Sequence, residues 1–190
     1  GGLCINLAIN LRSRFTLFTD NNLYDFDATN EIPYLGKKEF IHTFLTEFGL
    51  GDMHRSRFHS EFDGLLESGM GSSASTAVAI FGAINKLKNL NMSLSEIAEK
   101  AWEIEVNKLG LYGGKQDQYV ATYGGVNVMD FKDRVAVTPL ARSFIEPLLP
   151  SLCLFYTGEN RKSAIIQEGF KKLSHYQIDK LNNIKNLALS

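Results

Sequence analysis

A run of small residues, Gly69-Met70-Gly71-Ser72-Ser73-Ala74-Ser75, constrains this chain most. It leads without a break into Ala77, Ile80, Phe81, Ile84 and Leu87, the spacing of a helix with one apolar face. Glycine lets a backbone turn sharply and approach a ligand closely. A helix start presents unpaired N–H groups and a partial positive charge, so a glycine turn feeding a helix is a ready anion site. The hydroxyls of Ser72, Ser73 and Ser75 add hydrogen bonds or hard oxygen ligands for Mg²⁺. The plainer alternative is a serine-rich helix cap.

Three known phosphate or nucleophile patterns can be tested against these residues. The P-loop needs Lys followed by Ser or Thr, and Gly114-Lys115 is followed by Gln116. The nucleophile elbow needs Gly-x-Ser-x-Gly, and Gly71-Ser72-Ser73-Ala74 is followed by Ser75. The dinucleotide pattern G-x-G-x-x-A fits Gly69 to Ala74, but no good strand precedes it and residues 86–92 offer no acid for a ribose. A nicotinamide-binding oxidoreductase therefore stands as a rival on that match alone.

Two further features carry candidate chemistry. Ala98, Ala101, Trp102 and Glu105 share one helical stripe, which puts a carboxylate on a mostly apolar face. Glu105 is either an edge residue paired with a lysine or a metal ligand. Lys115-Gln116-Asp117-Gln118 lies within a second glycine-rich turn, expected from Gly110 to Tyr119. Asp117 there is either a proton acceptor for a substrate hydroxyl, with Lys115 keeping it ionised, or part of a solvated Asx turn. Arg161-Lys162 after Thr157-Gly158 is a phosphate contact or a solvated helix start. His42, His54, His59 and His175 show no paired metal-ligand spacing.

The rest of the chain reads as an α+β protein. Strands are expected at 3–10, 13–18, 56–62, 126–131 and 135–140, with helices at 38–48 and, after the turn that ends at Ser75, over the Ala77 to Leu87 pattern. On the first strand Leu3, Ile5, Leu7 and Ile9 share one side, with Asn6 and Asn10 on the other. Ser93 and Glu96 form a capping box, so the next helix runs from there to about Lys108 and stops at Gly110. Pro147 and Pro150 bracket a linker, Leu152 to Tyr156 reads as a buried strand, and 163–188 as helix. A domain boundary is expected near residue 148. Both ends read as cut from something longer.

Composition narrows the function classes. The 190 residues carry 20 Lys+Arg and 21 Asp+Glu, a net charge of −1, which disfavours a nucleic-acid partner. No stretch has the length of a membrane span, and the opening Gly1-Gly2-Leu3-Cys4 lacks a signal peptide's charged segment. Cys4 and Cys153 are too few for a disulfide scaffold, so a reducing cytoplasm is expected.

With those residues in place, the chain resembles the GHMP kinase superfamily. Gly69 to Ser75 resembles its glycine–serine loop. Gly114-Lys115-Gln116-Asp117-Gln118-Tyr119, Tyr123-Gly124-Gly125-Val126-Asn127 and Leu154-Phe155-Tyr156-Thr157-Gly158 resemble its heptose 7-phosphate kinase branch. The resemblance implies an α+β fold with a mixed, mostly antiparallel sheet backed by helices. An N-terminal ATP-binding domain over 1–148 is followed by the beginning of a second domain over 149–190. It implies that Gly69, Met70, Gly71, Ser72, Ser73 and Ala74 cradle ATP, that Ser73 and Glu105 hold Mg²⁺, and that Asp117 is the base beside Lys115. Gln118, Tyr123, Gly124 and Gly125 would contact the sugar. The implied reaction moves the γ-phosphoryl group of ATP to the anomeric hydroxyl of a heptose 7-phosphate. Fucose or another hexose is the alternative acceptor, and a nucleotide-binding fragment without turnover is the alternative role. Leu66-Glu67-Ser68 departs from the family's usual proline before the loop, and further family motifs would lie before Gly1 and beyond Ser190.

Overall fold

The computed structural model describes residues 2–18, 38–50, 57–64, 68–111, 113–156, 158 and 175–189. In chain order the elements are β1 (Gly2–Leu7), β2 (Ser13–Phe18), α1 (Lys38–Glu47), β3 (Arg57–Phe62), α2 (Ser72–Lys88), α3 (Leu94–Glu103), a π-helical turn (Ile104–Lys108), α4 (Gln116–Tyr123), β4 (Val126–Phe131), β5 (Val135–Pro139), the short α5 (Arg142–Ile145), a 3-10 turn (Leu149–Ser151) and α6 (His175–Leu189). The expected α+β class holds. The strands form two antiparallel sheets rather than one: β1-β4-β5 and β2-β3. Among the described residues there is no parallel βαβ unit, so Gly69 to Ala74 does not sit in a dinucleotide-binding sheet.

The main core lies where α1, α2 and α3 meet. Phe40, Ile41, Phe44 and Leu45 of α1 interlock with Ala77, Ile80, Phe81 and Ile84 of α2 and with Ile97, Ala101 and Ile104. Phe44 and Phe48 meet Phe81 edge-on, at centroid distances of 5.5 and 5.3 Å. Each buried side chain of this kind contributes about 1.5–3 kcal/mol. A second cluster gathers Ala98, Tyr119 and Met129, tying α3 and α4 to β4.

The start of α3 follows the sequence closely. Ser93 Oγ accepts from the Glu96 N–H at 3.3 Å, and the Ser93 N–H donates to Glu96 Oε2 at 2.8 Å. The helix then widens into the π turn, where Leu109 N–H bonds to Ile104 O and Leu111 N–H reaches Glu105 O. Such turns add a residue without adding a regular turn and are frequent at functional sites.

The first strand, expected over 3–10, ends at Leu7; on it Ile5 of the apolar side is 63% exposed, while Asn6 is buried against Met129. The sheet packs through Met129 and Cys4, and α6 runs beside β1. Leu152 to Tyr156 is not a strand and is not buried; Phe155 is 83% exposed. No described strand lies beside it to supply a ladder, and without one an extended run stays solvated. The expected helix over 163–188 is seen from His175; its earlier part and Arg161-Lys162 lie outside the described residues. His54 lies outside them as well. No helix among the described residues is long and apolar enough to cross a membrane.

Candidate active site

The glycine–serine turn is built by its backbone. Gly69 and Gly71 take positive φ angles of 78° and 68°, a region that glycine enters freely. Gly71 is the N-cap of α2, and no side chain caps that helix. The N–H groups of the first turn are thus left for a ligand. A hydroxyl cluster fixes the turn from behind. Ser75 Oγ and Thr76 Oγ1 both donate to Ser72 O, at 3.0 and 2.9 Å, and both lie within hydrogen-bond reach of Ser13 Oγ on β2. Ser72 and Ala74 are buried, so Ala74 brings no side-chain donor to a ligand.

Ser73 points the other way. Its hydroxyl donates to Glu105 Oε1, and Gln118 Nε2 donates to Glu105 Oε2 at 2.7 Å. Glu105 is 5% exposed, and its burial pushes the carboxyl above the usual glutamate range; both hydrogen bonds counter that shift. Of the alternatives open in the sequence, the lysine-paired edge residue is excluded. The side chain is buried and bonded to Ser73 and Gln118.

The donor set fits a hard cation. Ser73 and Glu105 offer oxygen only, and Gln118 Oε1 is a buried acceptor with no hydrogen-bond partner. Among the described residues no three His, Cys, Asp or Glu side chains converge, so a transition-metal cage is not built here.

Asp117 stands in the first turn of α4 and faces Gly71. A Cβ placed on Gly71 would lie 3.4 Å from both Cβ and Cγ of Asp117. The protein packed around its carboxyl excludes enough water to raise it above the usual aspartate range. Asp117 also forms part of the wall of a cavity of about 110 Å³ with Met70, Gly71 and Ser75. Its lining also includes Leu7 at the end of β1, Ala8, Ile9 and Leu11 of the β1–β2 connection, and Phe62. These wall residues were missed in the sequence, where nothing but their approach in space would mark them.

Lys115 is not beside Asp117. Its ammonium donates to Glu99 Oε2 at 2.7 Å and lies 4.5 Å from the centroid of the Trp102 ring. Tyr123, Gly124 and Gly125 fall at the far end of α4, about 9 Å along its axis from Asp117. There Tyr123 stacks on Tyr119, Gly124 O accepts from Asn127 Nδ2, and Gly125 O accepts from the Ala8 N–H. The structure therefore brings together Met70, Gly71, Ser73, Glu105, Asp117 and Gln118, and leaves Lys115, Tyr123, Gly124 and Gly125 outside that group.

The comparisons agree with one another. Residues 37–125 match the GHMP kinases N terminal domain. A D-glycero-alpha-D-manno-heptose 7-phosphate kinase of Campylobacter jejuni is 39% identical over 88% of this chain and 55% of its own length. A mevalonate kinase of Methanothermobacter thermautotrophicus is 32% identical over 64% of this chain and 40% of its own length. This chain thus spans about half the length of the curated relatives it matches. Among solved structures, a D-glycero-D-manno-heptose 1-phosphate kinase from Bacteroides thetaiotaomicron superposes with a TM-score of 0.65 at 30% identity, covering 78% of this chain and 55% of that one. The structure of a "Putative Sugar Kinase" from Campylobacter jejuni gives a TM-score of 0.60 at 31% identity, covering 77% of this chain and 50% of that one. Residues 37–125 of this chain thus form a GHMP kinase N-terminal domain, and relatives of that family align over most of the chain.

Proposed function

We propose that the protein is an ATP-dependent sugar kinase that phosphorylates a heptose 7-phosphate at its anomeric hydroxyl. The observation that carries this reading is the meeting of Asp117 with Gly71 at the uncapped start of α2, beside the Ser73–Glu105–Gln118 chain. The acceptor follows the relatives, two of which carry names of D-glycero-D-manno-heptose phosphate kinases.

In this reading the Gly69–Ser73 backbone and the first turn of α2 hold the ATP phosphates. Ser73 and Glu105 hold Mg²⁺, with Gln118 fixing the Glu105 carboxylate; the ion, when bound, offsets charge on the phosphates. Asp117 accepts the proton of the attacking hydroxyl. A carboxyl raised by its surroundings is a stronger base than a fully hydrated one. The rest of the catalysis is positioning and charge neutralisation. The two free cysteines support a cytoplasmic setting. The boundary near residue 148 is part of the same proposal. It is supported by the change from buried β4 residues to the exposed apolar run at Leu152–Tyr156.

The test is ADP release from Mg·ATP with heptose 7-phosphate as acceptor, set against a no-sugar control and a panel of hexoses. Heptose-dependent ADP is expected. Turnover of fucose or another hexose in preference would replace the acceptor. ATP binding without turnover would leave a nucleotide-binding module.

A further inference from the structure

Helix α4 carries Asp117 and Gln118 in its first turn, yet nothing local holds that turn in place. Its N-cap is Lys115, whose side chain makes no capping bond. Gly113 and Gly114 precede it, and a Cβ on Gly114 would touch nothing within 4 Å. Left to itself such a segment frays.

Besides the Gln118–Glu105 bond, what holds it comes from α3. Glu99 receives two donors, one on each oxygen: Lys115 Nζ at 2.7 Å and Tyr119 OH at 2.7 Å. Trp102, one turn further along α3, donates its indole N–H to Gly113 O at 3.0 Å. The Lys115 ammonium lies over the face of the same indole, 4.5 Å from its centroid. Four contacts thus span residues 113–119, and all come from two side chains three positions apart on α3. Charge-assisted bonds and ammonium–indole contacts are among the stronger polar contacts at partly exposed sites.

We infer that Glu99 and Trp102 clamp Lys115, and that this clamp positions Asp117 and Gln118 for the proposed phosphoryl transfer. Lys115 is then a positioning residue, acting through the backbone it anchors. The consequence for turnover rests on the kinase reading; the clamp itself is measurable without turnover.

The experiment uses the full 190-residue chain and the variants Lys115→Met, Glu99→Gln, their combination, and Lys115→Arg. Trp102 is the sole tryptophan, so its fluorescence reports on this clamp alone. Far-UV circular dichroism checks that each variant is folded. Lys115→Met and Glu99→Gln should speed amide exchange at residues 113–118 at least about tenfold and raise acrylamide quenching of Trp102. The double variant should fall well short of the product of the two single effects, because both remove the Lys115–Glu99 contact. Lys115→Arg should restore protection, since a guanidinium can pair with Glu99 and stack on Trp102. Turnover of the single variants should show a lowered kcat with KM for ATP unchanged. Unchanged exchange at Asp117 and Gln118 in Lys115→Met, or effects that multiply in the double variant, would overturn the clamp. If the unaltered chain turns over no ATP while the exchange results hold, the clamp stands and the kinase reading falls.

Discussion

Asp117 packs against Gly71 so closely that a methyl group on the glycine would lie 3.4 Å from two of its side-chain atoms. The glycine turn and the proposed base are therefore one structural unit.

Gly71→Ala should destabilise the chain by about 1–2 kcal/mol, because a side chain at its φ of 68° meets its own backbone. The added methyl itself would sit in ordinary van der Waals contact with Asp117, so the cost lies in the backbone. Gly82 is the control. It lies inside α2 with open space around it, and Gly82→Ala should stabilise by about 0.5–1 kcal/mol. Urea unfolding of both variants checks the pair. Equal effects at the two positions would remove the special role of the turn.

Asp117→Asn should lower kcat by roughly 10²–10⁴-fold, the range for removing a general base, with ATP affinity little altered. The base must be ionised to work, so kcat should rise with pH to a plateau. Its midpoint should lie above the ordinary aspartate value of about 3.9, because the surroundings raise the carboxyl. A pH–rate profile of the unaltered protein tests the midpoint. Near-normal turnover of Asp117→Asn would end the assignment.

Glu105 gives a stability prediction of definite sign. Its folded carboxyl is raised by burial, so the folded state holds a proton that the unfolded state releases near the ordinary value of about 4.3. Stability from this group is complete below that value and is lost as pH rises through the raised one. In metal-free buffer, Glu105→Gln should gain stability over the unaltered chain as pH rises through that window. Chemical unfolding at several pH values reads the difference, and a pH-independent difference would contradict it. The same variant should bind Mn²⁺ more weakly.

Ser93→Ala should cost about 1 kcal/mol, the ordinary loss for removing a helix cap. Both halves of the capping box are present, and Ser93 Oγ additionally lies 2.6 Å from Glu96 Oε2. Equilibrium unfolding with and without the substitution measures it.

The cap at Ser93 and the α1 and α2 apolar faces were legible because each depends on residues a few positions apart, whereas Glu105 was legible only as a carboxylate on an apolar stripe, its burial left open. The fate of Lys115 was not. Its neighbour in sequence is the loop of Asp117, but its partner Glu99 lies 16 positions back on another helix. The same reason hid the cavity wall at Leu7–Leu11. The β1 alternation was legible as a pattern, but which side is covered depends on Met129 and α6, which come more than a hundred residues later. Leu152–Tyr156 had a strand's composition without a strand's partner.

The π turn after α3 also sets an angle. Glu105 lies within it, and the chain that leaves it through Gly110 goes on to Asp117. A regular helix advances about 100° per residue, so deleting one residue after Glu105 would rotate the point where the chain leaves this helix by an amount of that order. The wide turn therefore sets the direction in which Leu109 to Leu111 depart. Trimming it to a regular helix would also take the Leu111 N–H off Glu105 O, and with it the link that returns the departing chain to the residue carrying the carboxylate.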